Sequence, residues 1–257
     1  QTAINLALPL EKRLPVLEME LEILGTKCDA IDEASDRERF EDFAERIGLQ
    51  MPRGATGTSA NDVREAVSKI GFPVLIRPSY VLGGRGMEIL ANQKQLEAYL
   101  SEAYLAPDKP LLVDEYLGHA IELDVDAASD GKQVLIGAVM EHLEEAGIHS
   151  GDSTCFIPTQ NISDEMLERV REQTKKIGIG LNIHGCFNIQ FAIQDDDLYC
   201  LEVNPRSSRT VPFVAKATGV PMARIAARVT LGIDLADQDI PEATSGHVAV
   251  KAPVFPF

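Results

Sequence analysis

A predicted β-hairpin between residues 186 and 204 constrains the fold of this chain most strongly. In the short run 198–204, Glu202 and Asn204 lie two residues apart, so the period of two residues of a β-strand places them on one face. A second strand-like run, 186–193, precedes it, and the aspartates 195–197 separate the two runs as turn residues do. Pro205 cannot donate a hydrogen bond to a neighbouring strand, so the second strand ends before it.

The predicted hairpin gathers polar side chains on one face. If Asp196 is the centre of the turn, Gln190 lies opposite Glu202 and Asn188 lies opposite Asn204. Oxygen donors of this kind suit a hard cation, and Mg²⁺ usually takes one or two protein carboxylates together with water and substrate phosphate oxygens. This face is therefore a candidate metal site.

Two arginines follow the second strand of the hairpin. Arg206 and Arg209 lie within a few residues of Glu202, and a guanidinium group binds phosphate or carboxylate oxygens through paired hydrogen bonds. This combination indicates a site that handles phosphate. For the strands alone, the alternative is an ordinary core hairpin with a solvated polar rim, because short alternating strands are common.

Charge and length limit the class of protein and its partners. The formal net charge is -16, which repels nucleic acid and anionic membranes, so we expect neither as a partner. No stretch is long and apolar enough for a membrane span. At 257 residues the chain can form one large domain or two small ones, each with its own core.

The four cysteines are far apart and form no CxxC pair. We interpret Cys28, Cys155, Cys186 and Cys200 as buried, reduced thiols. Reduced thiols are usual in the cytosol, so we expect a cytoplasmic protein.

Amphipathic helices and strands alternate along the chain. Capping residues predict helices that begin at Ser35 or Asp36, at Ser59 and at Ser163. Residues 121–127 alternate apolar and acidic side chains and predict a half-buried strand.

Two loops carry further candidate binding residues. The glycine-rich segment 79–87 contains Arg85, and the backbone N–H groups of such a loop can approach a polyphosphate closely. Its spacing is not that of a Walker A loop, and a flexible hairpin is the alternative. The polar loop 141–153 contains His149, a candidate general base or ligand of nucleotide hydroxyls, with a structural or solvated histidine as the alternative.

Four motifs of the chain resemble those of the ATP-grasp family, and within it the large-subunit family of carbamoyl phosphate synthetases. They are the segments 76–87, 141–153, 202–213 and 248–255. The resemblance covers essentially the whole sequence. That large subunit contains two similar ATP-grasp halves, and Arg85 together with Glu141 and His142 resembles the second, carbamate-phosphorylating half.

The resemblance implies an α/β (α+β) architecture with the ATP-grasp fold. In that fold, two lobes with sheets rich in antiparallel strands clasp a nucleotide. Residues 1–35 are then expected to be a remnant of a preceding Rossmann-like pre-ATP-grasp unit. Residues 36–233 form the ATP-grasp domain, with a lid lobe at about 73–117, and residues 234–257 form a tail that leads to a following domain.

The resemblance also implies the cofactors, ATP and Mg²⁺ or Mn²⁺, and assigns residues to them. Gln190, Glu202 and Asn204 would hold the metal, and Arg206 and Arg209 would bind the acceptor carbamate and the transferring phosphoryl group. These two arginines, with Glu202 and Asn204, form the implied catalytic set. Besides Gln190 and Glu202, the residues implied to bind ATP are Arg37, Arg77, Arg85, Glu115, Leu117, Glu122, Gly147, Ile148, His149 and Ser150.

Among the implied ATP contacts, the strand from Glu115 to Leu117 would meet adenine through its backbone, and Glu122 would bind the ribose hydroxyls. The implied reaction is attack by a carbamate oxygen on the γ-phosphorus of ATP, which gives carbamoyl phosphate and ADP. It would form part of carbamoyl phosphate synthesis from bicarbonate, glutamine-derived ammonia and ATP, for pyrimidine and arginine biosynthesis. The implied partners are the rest of the large subunit, a glutaminase small subunit and further copies in a homo-oligomer.

Two alternative functions stay open. Another ATP-grasp carboxylate ligase, such as a biotin carboxylase-like enzyme, would share the nucleotide site and accept a different carboxylate. An inactive nucleotide-binding fragment would hold the nucleotide and need further domains for turnover.

Overall fold

The computed structural model describes residues 2–18, 21–78, 87–102, 110–145, 152–244 and 246–254. The helices within these ranges are α1 (Thr2–Arg13), α2 (Cys28–Ser35), α3 (Arg37–Ile47), α4 (Ala60–Ile70), α5 (Gln93–Glu102), α6 (Asp164–Gly180), α7 (Val211–Thr218) and α8 (Met222–Thr230), with a short 3₁₀ helix at Leu235–Asp237. The strands are β1 (Gly54–Gly57), β2 (Val74–Pro78), β3 (Glu88–Leu90), β4 (Leu111–Glu115), β5 (Ile121–Asp130), β6 (Val134–Glu145), β7 (Cys155–Ile157), β8 (His184–Gln194), β9 (Asp197–Asn204) and β10 (Ala249–Lys251).

The chain divides into two compact units, and the smaller one is inserted in the sequence of the larger. The small unit is Pro52–Gly118, and the large unit combines Gln1–Met51 with His119–Phe257. The predicted lid lobe, about 73–117, falls within the sequence of the small unit. The other predicted domain limits stay predictions.

The small unit is built on a four-stranded antiparallel sheet in the order β1-β4-β2-β3. Helix α4 begins with the predicted capping box, in which the Ser59 hydroxyl accepts from the Asp62 N–H and the Asp62 side chain accepts from the Ser59 N–H. Its apolar stripe, which includes Val63 and Val67, packs with Ile76 and Val113 of the sheet into a separate core. The first and last strands, β1 and β4, pair with each other along their length.

The large unit is built on a six-stranded antiparallel sheet in the order β10-β7-β6-β5-β8-β9. Strands β8 and β9 form the predicted hairpin, in which Gln190 pairs with Glu202 and Asn188 pairs with Asn204. These two predicted pairs are confirmed. Nearer the turn the predicted register is wrong by one residue, because a bulge lies between Gln190 and Phe191, Gln194 pairs with Asp197, and the turn is centred between Asp195 and Asp196 and not on Asp196. Both sheets are antiparallel and helices accompany them, which agrees with the predicted mixed α/β class.

Strand β5 corrects one prediction. The half-buried strand expected at 121–127 is buried over almost its whole length, including the acidic residues Glu122, Asp124 and Asp126. The reason is its central position, since β6 and β8 flank it and helices α6 and α8 both pack against it. An alternating sequence reveals the two faces of a strand but not whether water reaches the polar one.

Several local predictions are confirmed. Asp36, rather than Ser35, caps α3 by accepting from the Arg39 N–H, and Ser163 caps α6 by accepting from the Met166 N–H. All four cysteines are buried and free.

No helix in the described part of the chain is both long and apolar enough to cross a membrane.

Candidate functional site

One side of the large sheet carries a continuous set of polar side chains, which we call the polar face. Register and alternation place two rows across three strands, because paired residues and every second residue of a strand share a face. The polar face consists of Glu122, Asp124 and Asp126 on β5, Asn188 and Gln190 on β8, Glu202 and Asn204 on β9, and His142 on β6. Four strands, β5, β6, β8 and β9, thus supply one surface.

At the edge strand β9, the polar face ends in a chain of hydrogen bonds. Asn204 Nδ2 donates to Glu202 Oε1 over 2.7 Å, and Arg206 Nη2 donates to Asn204 Oδ1 over 2.9 Å. Arg206 also donates through Nη1 to the Ser207 carbonyl over 3.2 Å. The carboxylate, the amide and the guanidinium that the sequence singled out are therefore joined in one row.

In the centre of the sheet, a histidine lies between two buried carboxylates. His142 Nε2 is 3.4 Å from Asp124 Oδ2, and His142 Nδ1 is 3.7 Å from Glu122 Oε1. Burial alone would lower the pKa of His142, but Asp124, Cys155 and the charge of Glu122 outweigh it and raise the pKa to about 10. The imidazole is therefore positively charged at neutral pH and compensates negative charge inside the sheet.

The amide of Asn188 joins the two aspartates of β5. Its Nδ2 atom donates to Asp124 Oδ1 over 3.2 Å and to Asp126 Oδ1 over 3.0 Å. The segment 205–210 follows β9, and we call it the arginine loop. It packs on the second aspartate, because the Ser208 hydroxyl donates to Asp126 Oδ1 over 2.7 Å and the Thr210 hydroxyl donates to Asp126 Oδ2 over 2.6 Å.

The residues predicted to hold a metal are brought together by the hairpin. Gln190 lies opposite Glu202, and Asn204 lies two residues further along the same strand. Carboxylate and amide oxygens are the donors that Mg²⁺ and Mn²⁺ accept, so the donor set fits. In the described ranges, the polar face included, no group of three or more histidine, cysteine, aspartate or glutamate side chains is arranged to hold a metal ion, and the predicted set contains one carboxylate and two amides.

The other predicted ATP-binding residues are spread over the two units. In the large unit, Glu122 is buried on the polar face, and Arg37 Nε donates to Glu41 Oε1 over 2.8 Å in the first turn of α3. In the small unit, Arg77 Nε lies 3.5 Å from Asp114 Oδ2. Five further candidates lie outside the described residues: Arg85, Gly147, Ile148, His149 and Ser150.

At the end of β4, one backbone group predicted to contact adenine already makes a hydrogen bond within the protein. The Glu115 N–H already donates to the Arg53 carbonyl over 2.7 Å, and the Glu115 carboxylate accepts from Arg53 Nη2 over 2.8 Å and from Arg53 Nε over 3.0 Å. Leu117, two residues on, is buried. The N–H of Glu115 is thus engaged within the small unit.

Sequence reasoning missed several members of this site. Asp124 and Asp126 were noted only as the polar side of a strand, and Ser208 and Thr210 were not singled out. Their signal is present in the sequence, because three acidic residues at every second position of an apolar strand are costly to bury without partners. The partners, however, come from segments about 60 to 80 residues away, which spacing alone cannot reveal.

A cavity of about 200 Å³ lies next to the polar face, at the junction of β5, β6 and β7. It is lined by His119, Ala120, Ile121, Glu141, His142, Leu143, Glu144, Phe156 and Asn161. Among the described residues, the cavity shares His142 with the polar face, and its lining contains none of the described residues predicted to bind the cofactors.

Comparison with known families gives one match that spans most of the chain. Residues 36–238 match the model described as "Carbamoyl-phosphate synthase L chain, ATP binding domain". Curated relatives named carbamoyl phosphate synthase large chain align over the full length of this chain. The relatives from Methanoregula boonei, Halobacterium salinarum and Archaeoglobus fulgidus are 54%, 50% and 48% identical. The chain spans about a quarter of their length, 24%, 25% and 24% respectively.

Solved structures with a similar fold are much more distant in sequence. The biotin carboxylase of Campylobacter jejuni, in a β,γ-ATP complex, gives a TM-score of 0.74 at 19% identity over 90% of this chain and 53% of its own. The biotin carboxylase domain of the 2-oxoglutarate carboxylase of Hydrogenobacter thermophilus gives 0.71 at 18% identity over 91% of this chain and 57% of its own. This likeness confirms the predicted ATP-grasp fold.

Proposed function

Because this chain belongs to the family of carbamoyl-phosphate synthase large-chain ATP-binding domains, we propose that it binds ATP and phosphorylates carbamate to carbamoyl phosphate. The chain would act as the second, carbamate-phosphorylating half of a large subunit. The observation that carries the proposal is the row from Gln190 and Glu202 through Asn204 to Arg206, in which metal donors and an anion-binding arginine lie side by side.

The reaction joins two anions, so charge must be compensated before they meet. The net charge of -16 makes a general positive field impossible, and local cations have to supply the compensation. Mg²⁺ or Mn²⁺ held by Gln190, Glu202 and Asn204 would neutralise phosphate oxygens. Arg206 and Arg209, which follow on the arginine loop, would orient the carbamate and the phosphoryl group through their guanidinium forks.

The reaction needs little covalent help from the protein. Phosphoryl transfer is accelerated mainly by positioning and by electrostatic stabilisation. The polar face suits this task, because its central side chains, such as Asp124, Asp126 and Asn188, are buried and hydrogen-bonded, and all its members are carried on strands. A rigid sheet keeps the donors in place without a reorganisation cost when charge develops.

The wider biological setting is also a proposal. As in the relatives' name, the product would be carbamoyl phosphate, made from bicarbonate, glutamine-derived ammonia and ATP for pyrimidine and arginine biosynthesis. The partners would be the rest of the large chain, a glutaminase small subunit and further copies in a homo-oligomer, all in the cytoplasm. The fourfold greater length of the curated relatives supports the first of these partners.

The proposal is tested by running the chemistry backwards. The protein is mixed with carbamoyl phosphate and MgADP, and ATP formation is followed with a coupled assay. We expect ATP from the unaltered chain, and a rate about 100- to 1000-fold lower for Glu202→Gln and for Arg209→Ala. Glu168→Gln and Arg171→Ala, two exposed positions of α6, serve as matched controls and should keep the normal rate.

The same experiment separates the alternatives. MgADP binding by calorimetry without ATP formation would support an inactive nucleotide-binding fragment. ATP formation that depends on another acyl phosphate instead would support a different ATP-grasp ligase. A normal rate in Glu202→Gln or Arg209→Ala would contradict the roles given to these residues.

A further inference from the structure

The arginine loop is fixed to the sheet by a buried carboxylate for which the proposed reaction gives no direct use. We propose that Asp126 is a positioning residue, which holds the arginine loop on the sheet and thereby sets where Arg206 and Arg209 stand. The inference rests on the proposed function, in which these arginines bind the reacting anions. Asp126 would act through the loop and not through contact with a substrate.

The contacts of Asp126 fall on both sides of the second arginine. Ser208 binds one carboxylate oxygen and Thr210 binds the other, over 2.7 and 2.6 Å, so the residues before and after Arg209 are both fixed. Arg209 itself is exposed. Because the residues on both sides of Arg209 are held, the backbone position of Arg209 is fixed. Its side chain therefore has fewer conformations to lose when it binds an anion.

Thr210 also shows that the loop is bound to the sheet in preference to the helix that follows. Thr210 is the N-cap residue of α7, where a threonine hydroxyl usually accepts from a backbone N–H of the first turn. Here its side chain makes no such cap, and the hydroxyl donates to Asp126 instead. The Thr210 N–H is bound by the Ser208 hydroxyl over 3.1 Å, so the two residues also support each other.

Because Asp126 is buried, Asp126 and the arginine loop depend on each other. Asp126 is fully buried next to Asp124, and burial raises its pKa although Thr210, Ser208 and Asn188 donate hydrogen bonds that lower it. A buried carboxylate is strongly unfavourable without partners. Two of its three partners, Ser208 and Thr210, are on the loop, so the carboxylate and the loop stabilise each other.

The first test measures loop order without any turnover. Thr210→Val removes the hydroxyl at nearly constant shape, and Thr210→Ser keeps the hydroxyl and serves as the matched control. We expect hydrogen exchange of the backbone amides in 206–211 to rise at least tenfold in Thr210→Val and in Asp126→Asn, and to stay within about twofold in Thr210→Ser. Unchanged exchange in the first two variants would overturn the proposal.

The second test asks whether Asp126 acts through the arginine. In the ATP-forming assay, Asp126→Asn should lower kcat/KM for carbamoyl phosphate about 10- to 100-fold, because a misplacement of about 1 Å has effects of this size. MgADP affinity should change less than about twofold. In an Arg209→Ala background, Asp126→Asn should cause no further loss beyond about twofold, whereas independent effects would multiply.

The two tests separate the failure of this inference from the failure of the proposed function. If the unaltered protein forms no ATP, the proposed function fails, and the exchange measurement still decides whether Asp126 fixes the loop. If ATP forms and the effects of Asp126→Asn and Arg209→Ala multiply, the proposed function stands and the positioning role is wrong.

Discussion

Both units have ion pairs at the surface, but the large unit also has a buried charged group, His142 with Glu122 and Asp124. In the small unit, ion pairs lie at the surface, such as Arg64 with Glu97, where the guanidinium and Gln93 lower the pKa of Glu97 to about 2. In the large unit, His142 and its two carboxylate neighbours have side chains that are at most 3% exposed. Pairs of a cation and a carboxylate are therefore solvated on the helices of the small unit and enclosed in the sheet of the large unit.

This difference shows which charged groups need the folded structure to compensate their charge and which are compensated by water. An exposed pair can separate at little cost because water replaces each partner. A buried pair cannot separate, because removal of one partner leaves the other uncompensated in a medium of low polarity. The polar face of the large unit is therefore expected to respond to single substitutions much more strongly than the ion pairs of the small unit.

The largest effect on stability is expected for His142→Leu. The change leaves Glu122 and Asp124 buried without their cation, so the free energy of unfolding should fall by about 3 to 5 kcal/mol. Urea unfolding followed by circular dichroism measures this. The double variant His142→Leu with Asp124→Leu serves as the control and should recover much of the loss. A change below about 1 kcal/mol in the single variant would contradict the comparison.

A smaller and pH-dependent effect should come from the same histidine. Its pKa is about 10 in the folded protein and ordinarily 6.5, so the folded state binds more protons than the unfolded chain between these values. The contribution of His142 is fully present below pH 6.5 and is lost as the pH rises through 10, by at most about 1.4 kcal/mol per pH unit. The unfolding free energies of the unaltered protein and of His142→Leu should therefore converge at alkaline pH. A constant difference from pH 6 to 10 would refute this.

The smallest effect is expected in the small unit. Arg53 and Glu115 form a bidentate ion pair, but the arginine side chain is 62% exposed. Arg53→Ala should therefore lower the free energy of unfolding by less than about 1 kcal/mol, and 0.5 M salt should weaken even this contribution. Arg53→Lys is the matched control. A loss as large as that of His142→Leu would remove the distinction between the two sheets.

Much of the hairpin could be predicted from the sequence, because its determinants are local. The strand pattern, the aspartate turn and Pro205 predict the pair of Gln190 with Glu202, although not the bulge beside it, and side-chain caps such as Ser59 mark where helices begin. Helix α7 was not predicted; its N-cap Thr210 makes no side-chain cap, and the Thr210 hydroxyl donates to Asp126.

The rest of the site could not be predicted because it depends on strand order. Nothing local to Asp126 shows that β8 and the arginine loop will pack on it, and nothing local to His142 shows that β6 will lie beside β5. Sequence alternation identified the acidic side of β5, but the tertiary fold decided that this side is buried and hydrogen-bonded.

The ends of the small unit have a consequence for how this molecule can be rebuilt. Its first and last strands are neighbours, with Gly54 paired to Asp114 and Gly57 paired to Leu111, so the chain leaves the unit close to where it enters. A segment with adjacent ends and its own core can be removed or exchanged as one unit. Residues 52–118 could therefore be exchanged for the matching segment of a relative, or replaced by a short linker, without a change in the sequence of the large unit.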